Sequence, residues 1–252
     1  MSPILRVQNL SAGFGERLAL REISLQVLPG SITALIGPSG CGKTTFLRCM
    51  NRMHEEEPGG YWTGKIELQG LSQELRSLSL AEVRRRVGMV FREPRLFSHY
   101  SVFENLSMGS RAQGRDHTLR AYEDIEFALK KVRLWNEFKD RLHSSVDRLS
   151  SGEAQLLSLA RTLSLRPQVL LLDEPGALLD PIFSSKLEEV MEELKQEMPI
   201  LMVTHSLQQA GRIADRTAFF LDGRLVEEGE TQQIFVQPRE ALTEAYITGR
   251  MG

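Results

Sequence analysis

The chain has 252 residues, of which 41% are apolar, and this is enough for a substantial core and argues against disorder. With 31 Lys and Arg against 33 Asp and Glu, the formal net charge of −2 gives no support for a dominant nucleic-acid surface. No apolar run reaches the roughly 18–20 residues that cross a bilayer, and residues 1–10 lack the apolar core of a signal peptide. Any membrane role is therefore expected to depend on partner proteins.

Along the first ninety or so residues, the pattern predicts strands and turns around one helix. Alternating apolar residues predict a strand that ends at Pro29-Gly30, and a compact apolar run predicts a second strand over residues 32–36. A Gly-rich turn and a helix through Asn51 follow, and residues 65–69 alternate as a further strand. The chain's two cysteines, eight residues apart near the start of that helix, would be separated by roughly 12 Å, which excludes a disulfide between them and indicates a reducing compartment.

The Gly-rich turn has the spacing G-x-x-x-x-G-K-[ST] of a phosphate-binding P-loop, between a predicted strand and a predicted helix. Glycines let successive backbone N–H groups face phosphate oxygens, and the start of the helix adds a partial positive charge. Lys43 is expected to reach the β and γ phosphates, and Thr44 to offer a hydroxyl to Mg²⁺. The predicted cofactors are therefore ATP and Mg²⁺. The predicted nucleotide ligands in this segment are Gly37, Pro38, Ser39, Gly40, Cys41, Gly42, Lys43, Thr44 and Thr45.

The middle and end of the chain predict a helical insertion and a return to alternating strands and helices. Residues 92–148 are rich in charge, have near-helical apolar spacing and contain little Gly after Gly114. Residues 169–172 and 200–203 are fully apolar, as in parallel strands buried on both faces, with a charged helix over 180–198 between them. Asp222-Gly223 predicts a hairpin turn, and a short helical tail is expected after Gly229.

A pair of carboxylates follows one of the buried strands. Four apolar residues lead directly into Asp173 and Glu174. Asp173 is expected to hold Mg²⁺, and Glu174 to accept a proton from the attacking water. The predicted fold class is α/β, with a P-loop NTPase core that combines a mostly parallel sheet with an antiparallel β edge subdomain, and an inserted α-helical subdomain. We expect a single domain over 1–252, in which 1–91 and 149–252 form the core and 92–148 the insert.

Several short motifs in fixed order resemble those of ABC ATPases. Leu149-Ser150-Ser151-Gly152-Glu153 resembles the family's signature sequence, which in that family caps a helix and contacts ATP bound to the opposite subunit. Phe14 stands where the family has an aromatic residue that stacks on adenine. Asp180 closes the segment after Glu174, and Thr204-His205 stands where the family histidine contacts the γ-phosphate. Residues 82–91, 203–210 and 246–250 look like the ATPase subunit of bacterial phosphate importers, whereas residues 93–97 look like other importer ATPases.

This resemblance implies a function, a location and partners. It implies an ATP-hydrolysing subunit that powers an importer, with phosphate as the expected cargo, at the cytoplasmic face of the bacterial inner membrane. The implied partners are transmembrane permease subunits, which provide the only membrane contact, and a second ATPase subunit, identical or different; no nucleic acid is expected. Lys43, Glu174 and His205 are the implied catalytic residues, and Thr44 with Asp173 the implied metal site. Phe14, Ser150, Gly152 and Asp180 complete the implied nucleotide site.

Four departures from the family pattern leave a second hypothesis open. Arg92 replaces a Gln that approaches Mg²⁺, and a guanidinium cannot be a metal ligand. It is expected either to turn away or to reach phosphate oxygens. Ser151 and Glu153 replace Gly and Gln in the signature, and Glu153 adds negative charge near a γ-phosphate if it points inward. Leu156 replaces a common Arg. The alternative is therefore an ATP-binding partner that hydrolyses slowly or not at all within a heterodimer.

Other function classes are less consistent with the sequence. ABC ATPases of DNA repair or translation usually carry a long coiled-coil insertion or a second ATPase domain, and neither pattern occurs in these 252 residues. A small GTPase would be expected to have an Asn-Lys-x-Asp motif for reading guanine, and the sequence has none.

Overall fold

The computed structural model describes residues 2–71, 74–112 and 119–250. Residues 113–118 of the predicted insert, with Gly114, and the two ends of the predicted 1–252 domain lie outside the described residues. The nine strands are β1 (Leu5–Phe14), β2 (Arg17–Val27), β3 (Ile32–Ile36), β4 (Gly60–Leu68), β5 (Val87–Val90), β6 (Val169–Asp173), β7 (Ile200–Val203), β8 (Arg216–Leu221) and β9 (Arg224–Glu230) in the described ranges.

Ten α-helices, counted over the same ranges, connect and cover these strands. They are α1 (Lys43–Met50), α2 (Leu80–Arg86), α3 (Val102–Ala112), α4 (Leu119–Lys131), α5 (Trp135–Phe138), α6 (Ser151–Leu163), α7 (Pro181–Leu194), α8 (Leu207–Ile213), α9 (Thr231–Val236) and α10 (Ala241–Ile247). Short 3₁₀ turns lie at His54–Glu56 and Leu75–Ser77. The helical tail expected after Gly229 consists of α9 and α10.

Two sheets form the framework. The larger has the order β5-β6-β7-β3-β8-β9 and is parallel except for β9, while the smaller is the antiparallel sheet β2-β1-β4. Strands β3, β6 and β7 are buried along their whole length, as their unbroken apolar runs predict. The mostly parallel core, the antiparallel subdomain and the helical insertion predicted from the sequence are confirmed. The limits 92–148 of the insert remain a prediction.

The apolar core has two parts, one on each face of the larger sheet. One part lies between this sheet and helices α3 to α8, and includes Phe103, Phe138 and Leu156. The other fills the space between the two sheets around α1, and includes Phe46 and Phe220. Because β3, β6 and β7 run parallel and adjacent, their carboxyl ends meet at one edge, which is where such sheets place their ligands.

One expectation about the first ninety residues is wrong. They contain a second α-helix, α2, as well as α1 and the two 3₁₀ turns. Ser79 caps α2, since its hydroxyl accepts from the backbone N–H of Glu82 at 3.2 Å. The spacing Ser-x-x-Glu over 79–82 is a recognised helix-start signal and could have located this helix.

Candidate active site

The P-loop joins β3 to α1 at the carboxyl edge of the larger sheet. Its glycines at 37, 40 and 42 have φ of 144°, 78° and 105°, which L side chains rarely adopt. A Cβ added at Gly37 would lie 2.1 Å from the carbonyl oxygen of Phe220 on the neighbouring strand β8. The loop therefore requires glycine here for two reasons, its backbone angle and its contact with β8.

Lys43 begins α1, and its ammonium group turns back onto the loop. Its Nζ donates to the carbonyl oxygens of Gly37 at 2.7 Å and Pro38 at 2.8 Å, and it lies 3.5 Å from Cys41 Sγ. The residue is only 4% exposed. These contacts satisfy the buried charge and hold the loop in its curved shape. A phosphate oxygen entering the loop would meet a cation already in position.

Thr44 and Asp173 meet from opposite sides of this edge. The hydroxyl of Thr44 donates to Asp173 Oδ1 at 2.9 Å, which joins α1 to the end of β6. Burial raises the pKa of the Asp173 carboxyl, and the neighbouring charge of Glu174 adds to the effect, while the hydrogen bond from Thr44 opposes it. Hydroxyl and carboxylate oxygens are the ligands that Mg²⁺ takes in proteins, so this pair fits the predicted metal.

Glu174 stands one residue beyond β6 with both carboxylate oxygens in contact with cationic or hydrogen-bonding groups. Its Oε1 is 2.7 Å from His205 Nε2, and its Oε2 is 3.3 Å from Arg92 Nη1. The backbone of Glu174 has φ of 49°, an unfavourable value for a residue with a side chain, and strain of this kind is concentrated at functional sites. Arg92 does not turn away from the site, because its guanidinium contacts Glu174, the carboxylate predicted to be catalytic.

A cleft of about 620 Å³ brings most of the predicted residues together. Phe14, at its rim, is 38% exposed and packs edge-on against His54 with ring centroids 4.6 Å apart. An exposed aromatic face at the rim of a polar cleft is suited to stacking on a planar base. The predicted residues that line the cleft are Phe14, Ser39, Gly40, Gly42, Lys43, Thr44, Thr45, Glu174 and His205. Gly37, Pro38 and Cys41 belong to the same loop but are not part of this lining.

One wall of the cleft was not predicted from the sequence. This wall is formed by residues near the start of β2 and in the β8–β9 turn, namely Arg17, Leu18, Ala19, Asp222 and Gly223. The turn was predicted as a hairpin, which is confirmed, since β8 ends at Leu221 and β9 begins at Arg224. Gly223 N donates to the carbonyl of Cys41 at 3.1 Å, which docks the turn on the P-loop. A Cβ at Gly223 would lie 2.4 Å from the carbonyl oxygen of Ala19.

Comparisons with known proteins agree with this geometry. The family model described as ABC transporter matches residues 20–177. The chain belongs to the ABC transporter family. It is 47% identical over 252 residues to the phosphate import ATP-binding protein PstB of Salinibacter ruber, covering all of both chains. It is 46% identical over 249 residues to PstB 2 of Bacillus licheniformis, covering 99% of this chain and 90% of that relative.

A solved structure supports the same assignment. The protein superimposes on a bacterial Atm1-family ABC exporter with ATP bound, with a TM-score of 0.79 and 25% identity. The match covers the whole of this chain and 42% of that exporter's chain. The resemblance identified from the sequence motifs is thus confirmed, and the protein is an ATP-binding subunit of the ABC type. No helix among the described residues is long and apolar enough to cross a membrane.

The ABC signature residues lie outside the cleft, at the start of α6. Ser150 caps α6, and a reciprocal bond runs from its backbone N–H to Glu153 Oε2 at 2.8 Å. Glu153 is also 3.7 Å from Arg141 Nη2, so its added charge is directed to its own helix cap and to an arginine. Gly152 faces the ring of Phe183 on α7. Asp180, another predicted nucleotide ligand, caps α7 by accepting from the N–H groups of Ile182 and Phe183.

Behind His205, a chain of hydrogen bonds links two helices to the end of β7. The hydroxyl of Thr204 donates to Gln209 Oε1 at 2.9 Å and accepts from the N–H of Ser206 at 3.1 Å. Gln209 Nε2 donates to Glu188 at 3.1 Å, and the guanidinium of Arg212 donates to the same carboxylate at 2.7 and 2.8 Å. Sequence reasoning did not find this network, because Glu188 belongs to α7 and only folding brings it to α8.

Proposed function

We propose that this chain is the ATP-hydrolysing subunit of a phosphate importer. The observation that carries the hydrolytic part is the contact between Glu174 and His205, 2.7 Å apart on the wall of a cleft that also holds the P-loop. The proposed cargo rests on the identity of 46–47% to phosphate import ATP-binding proteins over nearly the whole chain. The cargo proposal needs its own test, because the ATPase subunit is not expected to touch the cargo.

In the proposed mechanism, Lys43 exchanges its two loop carbonyls for oxygens of the β and γ phosphates. Glu174 accepts the proton of the attacking water, and His205 donates a hydrogen bond to the γ-phosphate or to that water. Both groups come from adjacent parallel strands, β6 and β7, so the rigid sheet fixes their spacing. Each residue positions charge around the phosphates, which is the main contribution of a protein to phosphoryl transfer.

Mg²⁺ would be held by Thr44 and Asp173. Their oxygens already lie 2.9 Å apart, and Thr44 lines the cleft. When bound, the metal would neutralise phosphate charge that the protein alone cannot offset. Asp173 must be ionised to serve as a ligand, and the approach of a divalent cation favours that form over the protonated form that burial stabilises.

The proposed partners are a second ATPase subunit and transmembrane permease subunits. Ser150, Gly152 and Asp180 lie outside the cleft of their own chain, so a role in nucleotide contact requires the cleft of another subunit. The resemblance to importer ATPases implies that the permease contacts the surface over residues 92–105. Phe97, 48% exposed, fits that surface, but Asn105 is buried and instead holds the loop through the carbonyl oxygens of Phe97 and Ser101. We therefore place the permease surface over residues 92–104, at the cytoplasmic face of the bacterial inner membrane.

The second candidate is an ATP-binding partner with little or no hydrolysis. The contact between Arg92 and Glu174 favours this second candidate, because the guanidinium occupies Oε2 of the proposed general base. A triple variant, Arg92→Gln with Ser151→Gly and Glu153→Gln, tests the slow-turnover hypothesis. Equal turnover in the parent and the variant would show that these three departures are neutral.

The deciding experiment is steady-state MgATP hydrolysis by the purified chain, with Lys43→Ala and Glu174→Gln as comparison variants. Both substitutions should abolish turnover, and Glu174→Gln should retain ATP binding and accumulate dimers. Binding without turnover in the parent would favour the second candidate. Uptake of labelled phosphate by phosphate-starved cells that carry this chain or its Glu174→Gln variant as the sole such subunit tests the cargo.

A further inference from the structure

The fold places Arg92 and Glu174 side by side at the end of two neighbouring strands. Strands β5 and β6 are parallel and paired so that Val90 faces Leu172. The ladder ends at this pair, and just beyond the two strand ends the guanidinium of Arg92 lies 3.3 Å from Glu174 Oε2. Both side chains line the nucleotide cleft. The contact therefore joins two segments that leave neighbouring strands of the sheet on the same side.

A buried glutamine fixes the backbone that carries both residues. Gln155 on α6, 1% exposed, donates through Nε2 to the carbonyl oxygens of Phe91 at 2.8 Å and Pro175 at 3.1 Å. Phe91 precedes Arg92, and Pro175 follows Glu174. One side chain thus ties together the two segments from which the cation and the carboxylate project. The pair is held at the site even though the Arg92 side chain is 56% exposed.

The electrostatics of the pair change when a triphosphate enters. In the structure, Glu174 is the acidic partner of Arg92. A pair whose cation is half-exposed is held weakly, with an expected effect on affinity of no more than about fivefold. A triphosphate carries more negative charge, and its terminal group offers several oxygens in the planar-fork geometry that guanidinium groups bind well. Arg92 lines the same cleft as Lys43 and Thr44, and its side chain is exposed enough to rotate within it.

We propose that, when ATP binds, Arg92 breaks its contact with Glu174 and binds the terminal phosphate. This inference rests on the proposed function, since it requires ATP in the P-loop cleft. Arg92 is then a further catalytic residue, and Glu174 Oε2 becomes free only when a γ-phosphate is present. ADP, which lacks that group, leaves the Arg92–Glu174 pair in place. The chain would discriminate ATP from ADP partly through Arg92.

The test compares equilibrium binding of ADP with that of a non-hydrolysable β,γ-imido analogue of ATP, both with Mg²⁺. Arg92→Gln should weaken analogue binding about tenfold and leave ADP binding within about twofold, because only the analogue has the third phosphate. Arg92→Lys keeps the positive charge but loses the forked guanidinium, so its affinity for the analogue should lie between those of the parent and Arg92→Gln. Arg95→Gln is the matched control: Arg95 is exposed, stacks 5.5 Å from the Phe91 ring and does not line the cleft, so both affinities should stay unchanged.

A double-mutant cycle with Glu174→Gln decides whether Arg92 moves. If Arg92 leaves Glu174 for the phosphate, analogue binding must break the Arg92–Glu174 contact, and Glu174→Gln removes this cost. Glu174→Gln should therefore tighten analogue binding about two- to fivefold more in the protein with Arg92 than in the Arg92→Gln background. If Arg92 stays on Glu174, it screens the carboxylate from the phosphate, and the tightening should be smaller in the Arg92 protein. The second result, or equal losses of ADP and analogue affinity in Arg92→Gln, would overturn the proposal.

The proposed function fails in a different way. Loss of analogue binding in Lys43→Ala, together with unchanged analogue and ADP binding in Arg92→Gln, rejects the role of Arg92 and keeps the ATP site. No effect of Lys43→Ala rejects the ATP site itself. Arg92→Gln should unfold within about 2 °C of the parent, since the residue is exposed at a strand end.

Discussion

Gly152 on α6 and Phe183 on α7 pack so closely that a Cβ at position 152 would lie 2.1 Å from a ring carbon. The glycine of the ABC signature is thus also the contact point of two helices within one subunit. This structural requirement exists before any nucleotide or second subunit arrives.

We predict that Gly152→Ala lowers the free energy of unfolding of the nucleotide-free chain by about 1–3 kcal/mol, because the added methyl group overpacks the α6–α7 contact. Urea denaturation without nucleotide measures this. Ser151→Ala is the control, since Ser151 is exposed one residue away. A Gly152→Ala chain as stable as the parent would show that Phe183 can move aside freely.

The network behind His205 gives a prediction about catalysis. Gln209→Ala removes the acceptor for Thr204 and breaks the link to Glu188, so the turn that carries His205 loses its support. We expect kcat to fall about tenfold while the affinity for the imido analogue stays within about twofold, since a small displacement of a reacting group reduces rate more than binding. Gln208→Ala, at an exposed neighbouring position, should leave both quantities unchanged. Equal effects of the two substitutions would refute a positioning role for Gln209.

Asp173 should make the nucleotide-free chain less stable as pH rises. Its ordinary pKa is 3.8, and burial raises this pKa in the folded chain. At pH values between the ordinary and the raised pKa, the Asp173 carboxyl is therefore protonated more often in the folded state than in the unfolded state. By linkage, this contribution to the free energy of unfolding decreases as pH increases through the interval.

We therefore predict that Asp173→Asn stabilises the nucleotide-free chain at pH 7 by about 1 kcal/mol while abolishing the added stability conferred by MgATP. The amide oxygen can still accept from Thr44, so the local contact is retained. Thermal unfolding across pH 4 to 7 should show the gain growing with pH. If the stability gain of Asp173→Asn were the same at every pH, the gain would not come from the ionisation of Asp173.

The cysteines give a probe of local opening. Cys41 and Cys49 are both free and buried, and burial raises the pKa of each thiol. We predict slow reaction of both with a thiol reagent at pH 8, because the reactive thiolate is scarce and shielded. MgATP should slow Cys41 further, since Cys41 lies in the P-loop, and Cys49→Ser isolates its signal. Rapid labelling of Cys41 in the folded chain would contradict the buried position.

The sequence predicts those parts of the molecule that are determined by residues close together along the chain. Strands β3 and β7 match their predicted limits because unbroken apolar runs between turn signals leave little freedom. The P-loop and the Asp173-Glu174 pair are found for the same reason, since each motif is continuous along the chain. Helix α2 was not predicted, although its cap signal is also continuous along the chain.

Other features depend on distances that a sequence does not contain. The docking of Gly223 on the P-loop, the Gln155 bridge and the Arg92–Glu174 contact each join segments that meet only after the sheet has formed. Their residue types are ordinary, and only strand order and register make them neighbours. Glu153 illustrates the same point, because its direction is set by the cap of its own helix.

The central position of β3 has a consequence for the order in which this protein can be built. Its neighbours are β7 and β8, and the backbone N–H of Ile32 bonds to the carboxylate of Asp215, 183 residues away. A ribosome emits the P-loop early, at roughly 5–20 residues per second, and the strand beside it many seconds later. Until then β3 has both edges open. The antiparallel sheet β2-β1-β4, whose strands all precede residue 69, can form first, so we expect the nascent chain to acquire its small sheet before its nucleotide site.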